Sequence, residues 1–476
     1  MSGLLFRSVN KTTPAPTISV GDLTVNSTGG GVFGGGSAYG VTWGALEPTV
    51  YHNGTKFMMW YNRVKSNSDF SNIFYCESTD GETWTNQTEL GIIGNGVEVY
   101  FDGTYYHMLI CTGYTAPQIN YYRSTSPNSG FSLVQAGVIT NSGTSYNSVW
   151  NPSIYYEGGT FYVTFDGRDP AASYQGNLAT GSSLTSLTKQ GAFAAMGDMG
   201  ECLVKSGGAY YSAGHQDDGS VTLPSSLMWY QASSILPLSG WGAARKGWLA
   251  RIYNSNNTDQ LADPFVIEVN GTTHLFYEQI PDQIDFTQFR MCHATYPGTV
   301  ADFYRACLNS PISDTRPTLS SGKVTMTLNT GASIASVTMD GAAATQVGSA
   351  GSVTTGTYYQ SGTTLILGTS GKSVVKLTPG GSLTIGASST WTQTGTTITA
   401  NDARVGTRST VSATVYSTAG GRLVFSGTYA SRFSASLDNS TWAQSVVVPA
   451  GSSTVYLGVT RQAGDPTLTA KVGVPL

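Results

Sequence analysis

The sequence predicts an all-β chain, a five-bladed β-propeller followed by one or two Ig-like β-sandwiches. Three observations carry that expectation. The first is a repeated phrase: Glu47-Pro-Thr-Val-Tyr-His-Asn-Gly returns as Asn151-Pro-Ser-Ile-Tyr-Tyr-Glu-Gly and as Asp263-Pro-Phe-Val-Ile-Glu-Val-Asn-Gly. Each copy is a short apolar run, a Gly turn and a second aromatic run, which signals a β-hairpin. Weaker copies begin near Val97 and at Glu201. Repetition at about fifty residues is the period of propeller blades. The second observation is composition. Of 476 residues 58 are Gly, 11% are charged and 11% are aromatic, which suits strands joined by tight turns and not helices or disorder. The third is a change after residue 308, where aromatics thin out and Ser, Thr, Gly and Val dominate.

The elements follow in chain order. Residues 1–37 read as an extended arm, since Pro14 and Pro16 oppose a regular helix and residues 29–36 are Gly-rich. The repeats span 38–308. A third strand follows each hairpin, beginning near Asn72, Ile119, Gln175, Leu227 and Phe289. A polar turn and a fourth strand would complete each blade, giving five. Residues 309–318 are a linker by their Pro and polar content. Alternating strands split by Gly turns then fill 319–381 and 382–476, read as two small Ig-like sandwiches or one longer one.

Charge and cysteine usage narrow the partners. The net charge is -4 and no basic run exists, so nucleic acid and anionic membranes are not expected. No segment is long and apolar enough to insert in a membrane. Five cysteines, Cys76, Cys111, Cys202, Cys292 and Cys307, are spread over separate repeats. That is a poor disulfide framework, and buried thiols in a chain folded in a reducing cytoplasm are expected. The first residues carry no apolar leader signal.

Propeller geometry nominates site residues. The first strand of each blade lines the central channel, so its first residues converge at one mouth. The loop after the second strand returns there. The strand starts carry Glu47, Gly96 with Glu98 nearby, Asn151, Glu201 and Asp263. The returning segments bring Asn62, Asp166-Gly-Arg168-Asp169-Pro, Gly214-His215-Gln-Asp-Asp and Glu278. Trp43, Tyr146 and Trp150 precede strand starts. Aromatic faces stack on sugar rings and paired carboxyls do acid–base work, so this set suits a glycan site. Bland alternatives stand beside it. Glu47 and Asp263 before Pro would also serve to cap the strand start. Arg168 with Asp166 and Asp169 would brace a loop. His215 with Asp217 and Asp218 offers three metal donors in one loop, a weak signal.

The blade grammar over 38–308 resembles the five-bladed propellers of glycoside hydrolase families 43 and 32. The resemblance implies a base or nucleophile in the first blade, at Glu47, and a general acid at Glu201, in Gly200-Glu201-Cys202. It implies a second Asp, where this chain has Asn151, a side chain that cannot ionise. Asp169 is the substitute at hand. A carboxyl separation of about 5–5.5 Å would imply retention and about 6.5–9.5 Å inversion. The resemblance also admits Ca²⁺ in the channel, although no ligand set can be read, and no cofactor is otherwise implied.

The layout of arm, propeller and Ser/Thr/Gly-rich modules resembles receptor-binding, tail-fibre or spike proteins of bacteriophages. That likeness implies a virion surface protein made in the host cytoplasm, or otherwise an extracellular one. It would recognise a host cell-surface polysaccharide, contact other virion proteins through the arm and form a homo-oligomer such as a trimer. Recognition without cleavage, active hydrolysis by Glu47 and Glu201, and a passive platform whose C-terminal modules bind are the three functional expectations.

Overall fold

The structure, a computed structural model, describes residues 16–25, 31–34, 41–65, 72–112, 118–142, 148–168, 174–193, 202–216, 226–241, 249–250, 260–280, 286–308, 311–313, 317–328, 332–380 and shorter stretches between 390 and 473. Five small antiparallel sheets make a five-bladed propeller. Blade 1 runs Gly44–His52, Phe57–Val64, Asn72–Ser78 and Thr85–Ile93, and blade 2 runs Asn95–Phe101, Tyr106–Thr112, Gln118–Ser124 and Ser132–Thr140. Blade 3 runs Ser148–Glu157, Thr160–Arg168, Tyr174–Gly181 and Thr188–Ala192. Blade 4 shows Cys202–Ser206, Ala209–Gln216 and Ser226–Ala232, and blade 5 has Gln260–Val269, Thr272–Ile280 and Arg290–Pro297. The innermost strands of successive blades touch, and that of blade 5 touches that of blade 1, so the ring closes.

Sequence explains the position of each strand within its blade. The second strand of blade 1, Phe-Met-Met-Trp-Tyr-Asn-Arg-Val, is buried almost throughout because neighbouring blades cover both faces. The fourth, Thr-Asn-Gln-Thr-Glu-Leu-Gly-Ile-Ile, is mostly exposed and polar, as an outer edge must be. The core therefore lies in the seams between blades. Each seam has its own cluster, such as Met58, Trp60, Tyr75, Val97 and Met108 between blades 1 and 2. His274 and His293 stack at 5.2 Å in the seam of blades 5 and 1, beside Phe57 and Phe276. Burial pushes them down to about 4 and about 3, so they are neutral structural rings. All five cysteines are buried free thiols.

Two features differ from expectation. Residues 1–37, expected as an arm, contribute three strands to two sheets. Thr24–Val25 pairs with Arg290–Pro297, and Gly31–Gly34 pairs with the same strand, so the outer edge of blade 5 comes from the start of the chain. Thr17–Val20 lies parallel to Val374–Gly380 in the next domain and antiparallel to Leu249–Ala250. Only Gly21, Asp22 and Leu23 separate the two pairings, which clasps the propeller to its neighbour. Such short, Gly-rich strands leave little periodicity to read. The second difference is a helix, Val300–Leu308. Thr299 caps it, exchanging hydrogen bonds with Asp302. Phe303 and Tyr304 pack against Trp229 and Tyr211 between blades 4 and 5.

Beyond the helix, two five-stranded sheets enclose Ile18, Val324, Met326, Val337, Leu365, Leu367 and Leu377. Lys-Val-Thr-Met-Thr at Lys323–Thr327 alternates strictly between buried and open faces. The strand pairing does not establish the Ig-like expectation: Thr17–Val20 with Val374–Gly380 and Thr345–Gln346 with Thr357–Ser361 are parallel pairs within otherwise antiparallel sheets. The described strands after 390 form two further four-stranded sheets, with one parallel pair, Thr390–Trp391 against Arg408–Ser417.

Candidate functional site

Four innermost strands share one irregularity at the channel mouth. Between Leu46 and Thr49, Asn95 and Glu98, Trp150 and Ser153, and Ala262 and Phe265, the inner strand advances three residues while its partner advances two. Each is a β-bulge. The bulged residues Glu47, Gly96, Asn151 and Asp263 have φ of 54°, 58°, 43° and 45°. Three of them precede Pro48, Pro152 or Pro264, which has no N–H to lose from the ladder. The Glu/Asn/Asp-Pro phrase in the sequence is thus the mark of the bulge.

The left-handed region costs a non-Gly residue of order 1–3 kcal/mol. Blade 2 uses Gly96, and a Cβ there would lie 2.8 Å from Asn151 Oδ1 and 3.0 Å from its backbone nitrogen. The other three blades keep a polar side chain at the strained position. All four residues line one cavity of about 30 Å³, together with Glu98. That volume holds a water or two.

Hydrogen bonds run from blade to blade around the axis. Glu278 in blade 5 accepts the Glu47 N–H in blade 1, and Glu47 Oε2 accepts the Gly96 N–H in blade 2 at 2.6 Å. Glu98 Oε1 accepts Ile154 N–H in blade 3 at 3.3 Å, and His215 Nδ1 in blade 4 accepts Asp263 N–H in blade 5 at 3.3 Å. Asn62 Nδ2 donates to Gly94 O at 2.6 Å and Cys111 Sγ to Val149 O at 3.0 Å. Asn62, Cys111, Asp166 and Glu278 stand opposite the last regular residue before each bulge. Amides released from the ladder by a bulge need such partners.

Burial dominates the electrostatics. Burial, reinforced by Asp263, lifts the Glu47 carboxyl to about 8, against the Gly96 N–H and His215. Burial lifts Glu98 to about 8, against hydrogen bonds from Thr49 and the Ile154 N–H. Glu278, fully buried and bonded to Asp263, is held well above the carboxylate range. His215 Nδ1 also lies 3.2 Å from Asp263 Oδ1. At neutral pH Glu47 is an acid form beside a second carboxyl. A carboxyl in that form can donate a proton.

The site expectations divide. Glu47, Asn151 and Asp263 meet at the mouth, with His215 bonded beneath Asp263. Asp166 is fully buried and pairs across the blade with half-buried Trp150. Trp43 is not an open stacking face: it is 8% exposed, in the blade 5–1 seam, with the Arg63 guanidinium over its ring at 4.4 Å. Glu201, Asp169, Asp217, Asp218 and the Arg168 side chain lie outside the described residues, and so does the carboxyl separation that would distinguish retention from inversion. Glu98 and Glu278 join the site with less warning. Glu98 lies two residues past the expected start, and Glu278 opens a returning segment.

Among the described residues no group of three or more His, Cys, Asp or Glu could hold a metal ion. No family model and no curated protein matches the sequence. Among solved structures, the chain is similar to a thermostable family-43 glycoside hydrolase at TM-score 0.40 and 15% identity, over 53% of this chain and 89% of that one. It is also similar to an exo-β-1,3-galactanase of Phanerochaete chrysosporium at TM-score 0.44 and 12% identity, over 95% of this chain and 99% of that one.

Proposed function

We propose that this chain is a glycoside hydrolase that works across the propeller mouth, with Glu47 as proton donor and Asp263 as its carboxylate partner. Strain is the observation that carries this reading. Blade 2 demonstrates that Gly satisfies the bulge, yet Glu47 and Asp263 hold carboxyl side chains there at φ of 54° and 45°. Strained polar positions converging on one mouth are typical of functional sites. Glu47, held neutral by burial, would protonate the glycosidic oxygen as the bond to the anomeric carbon breaks. Asp263 would take a proton from the attacking water, whose oxygen bonds the anomeric carbon. Asn151 would hydrogen-bond a sugar hydroxyl.

Recognition without turnover is the second reading. Two observations favour it: Asn151 cannot ionise, and Glu47 Oε2 is engaged by the Gly96 amide. The virion-surface setting receives no such support, since Thr17–Val20, Thr24–Val25 and Gly31–Gly34 of the expected anchor are built into sheets.

A reducing-end assay over a panel of soluble polysaccharides separates the readings. Product from the wild type that disappears in Glu47→Gln and Asp263→Asn, with melting unchanged, supports hydrolysis. Binding with no product from any chain leaves recognition. Product that persists in both variants sinks the assignment of these residues.

A further inference from the structure

The end of blade 3 away from the mouth carries aromatic rings on both flanks: Tyr100 and Phe161 edge one seam core, Tyr155 and Tyr210 edge the other, and Tyr156 stands outside both. Tyr156 lies five positions after Asn151 along one strand, about 16 Å at 3.3 Å per residue. Tyr156 is 41% exposed. It lies 4.6 Å from Phe161 and 5.9 Å from Tyr100 of blade 2, and Tyr100 meets Phe161 edge-on at 89°. On the other flank, Tyr155 meets Tyr210 of blade 4 at 6.1 Å and 87°. Between the flanks, the turn residues Gly158 and Gly159 carry no side chain and face open space.

The polar surroundings define what this face would take. Tyr210 Oη donates to Glu157 at 2.6 Å, and Lys205 pairs with Glu157 while its ammonium lies 5.0 Å over the Tyr210 ring. These charges offset each other, which leaves a near-neutral face of rings and hydroxyls. A nucleic acid or acidic polymer would need a basic excess. A protein interface would centre on a desolvated core depleted of charges. The half-exposed Tyr156 ring, edged by partly buried tyrosines and by hydroxyl and charged hydrogen-bonding groups, matches a polyhydroxylated, uncharged ligand, because ring faces stack on the C–H faces of sugars while the rim bonds hydroxyls.

We infer that the rings around the Gly158-Gly159 turn form a second glycan site for a neutral polysaccharide, on the face away from the mouth. The ligand class rests on the carbohydrate reading of the mouth; the site itself does not use the mouth residues. It would hold a polymer to the protein while another stretch crosses the mouth.

Affinity electrophoresis in native gels containing arabinoxylan, laminarin or galactomannan tests this. The expected result is at least twofold retardation of the wild type in one gel, lost in Tyr156→Ala and Tyr156→Glu. Exposure of Tyr156 should keep both variants folded, with mouth activity retained on a short oligosaccharide. Glu47→Gln should keep the retardation. Retardation that survives both Tyr156 variants overturns the site, as does no retardation in any gel. A change in sedimentation with Tyr156→Ala, without a change in retardation, would reassign the face to contact between copies. Tyr156-dependent retardation with no hydrolytic product anywhere would sink the hydrolase and leave this site standing.

Discussion

Replacing Glu98 with glutamine should flatten part of the pH dependence of stability. Glu98 is 6% exposed, with Oε1 accepting the Ile154 amide across the blade 2–3 seam. Burial raises its carboxyl from 4.5 to about 8. A raised carboxyl binds its proton more tightly in the folded chain than in the unfolded one. Its stabilisation is therefore complete below about pH 4.5 and is lost as pH rises through 8. Three and a half units at about 1.4 kcal/mol each give about 5 kcal/mol across that window. Glutamine keeps the acceptor for Ile154 and cannot ionise. Urea unfolding at half-unit steps from pH 4.5 to 8.5 reads the effect. Glu47 and Glu278 also carry raised carboxyls and contribute in both chains, so the difference between the two curves isolates Glu98. Wild type should lose about 5 kcal/mol relative to Glu98→Gln over the window. Parallel curves would refute the burial of a protonated carboxyl at this seam.

Three further outcomes follow from the same geometry. Gly96→Ala places a Cβ 2.8 Å from Asn151 Oδ1 at φ of 58°; it should cost roughly 1–3 kcal/mol, and a melting temperature equal to wild type would count against the bulge. If Glu47 donates the proton, kcat/KM on a cleaved glycan should hold through neutral pH and fall above about 8, where its carboxyl ionises; a profile rising through pH 9 would exclude that role. Deleting residues 1–25 removes buried Ile18, Val20, Leu23 and Val25, each contributing roughly 1.5–3 kcal/mol. Circular dichroism should find both the propeller and its neighbour weakened, and a melt within 2 °C of wild type would show the clasp to be dispensable.

Much of the propeller is legible in the sequence because its signals are local. A Gly turn between two aromatic runs marks a hairpin, and the gradient from Phe57–Val64 to Thr85–Ile93 marks inner and outer strands. The mouth is partly legible for the same reason: a strand start followed by Pro is a local phrase. What escapes reading depends on distant partners. Thr24–Val25 is two residues long, and its pairing with Arg290–Pro297 leaves no mark nearby. Trp43 looks like a stacking face until Arg63 covers it. Glu278 matters because its carboxyl meets Glu47, 231 positions away in sequence. The helix Val300–Leu308 is short, and tertiary packing against Trp229 supports it more than propensity does.

The clasp sets a clock on synthesis. Thr17 pairs with Val374, and roughly 350 residues must be made between them. At about 5–20 residues per second the first strand waits on the order of 20–70 s for its partner. Blade 5 meanwhile lacks its outer edge until Thr24–Val25 and Gly31–Gly34 dock on Arg290–Pro297. Ring and then sandwich are thus closed late, by a segment made long before either of its partners. Until then that segment is an unpaired strand beside others like it on a polysome, and crowding of ribosomes on one message would favour exchange of first strands between neighbours.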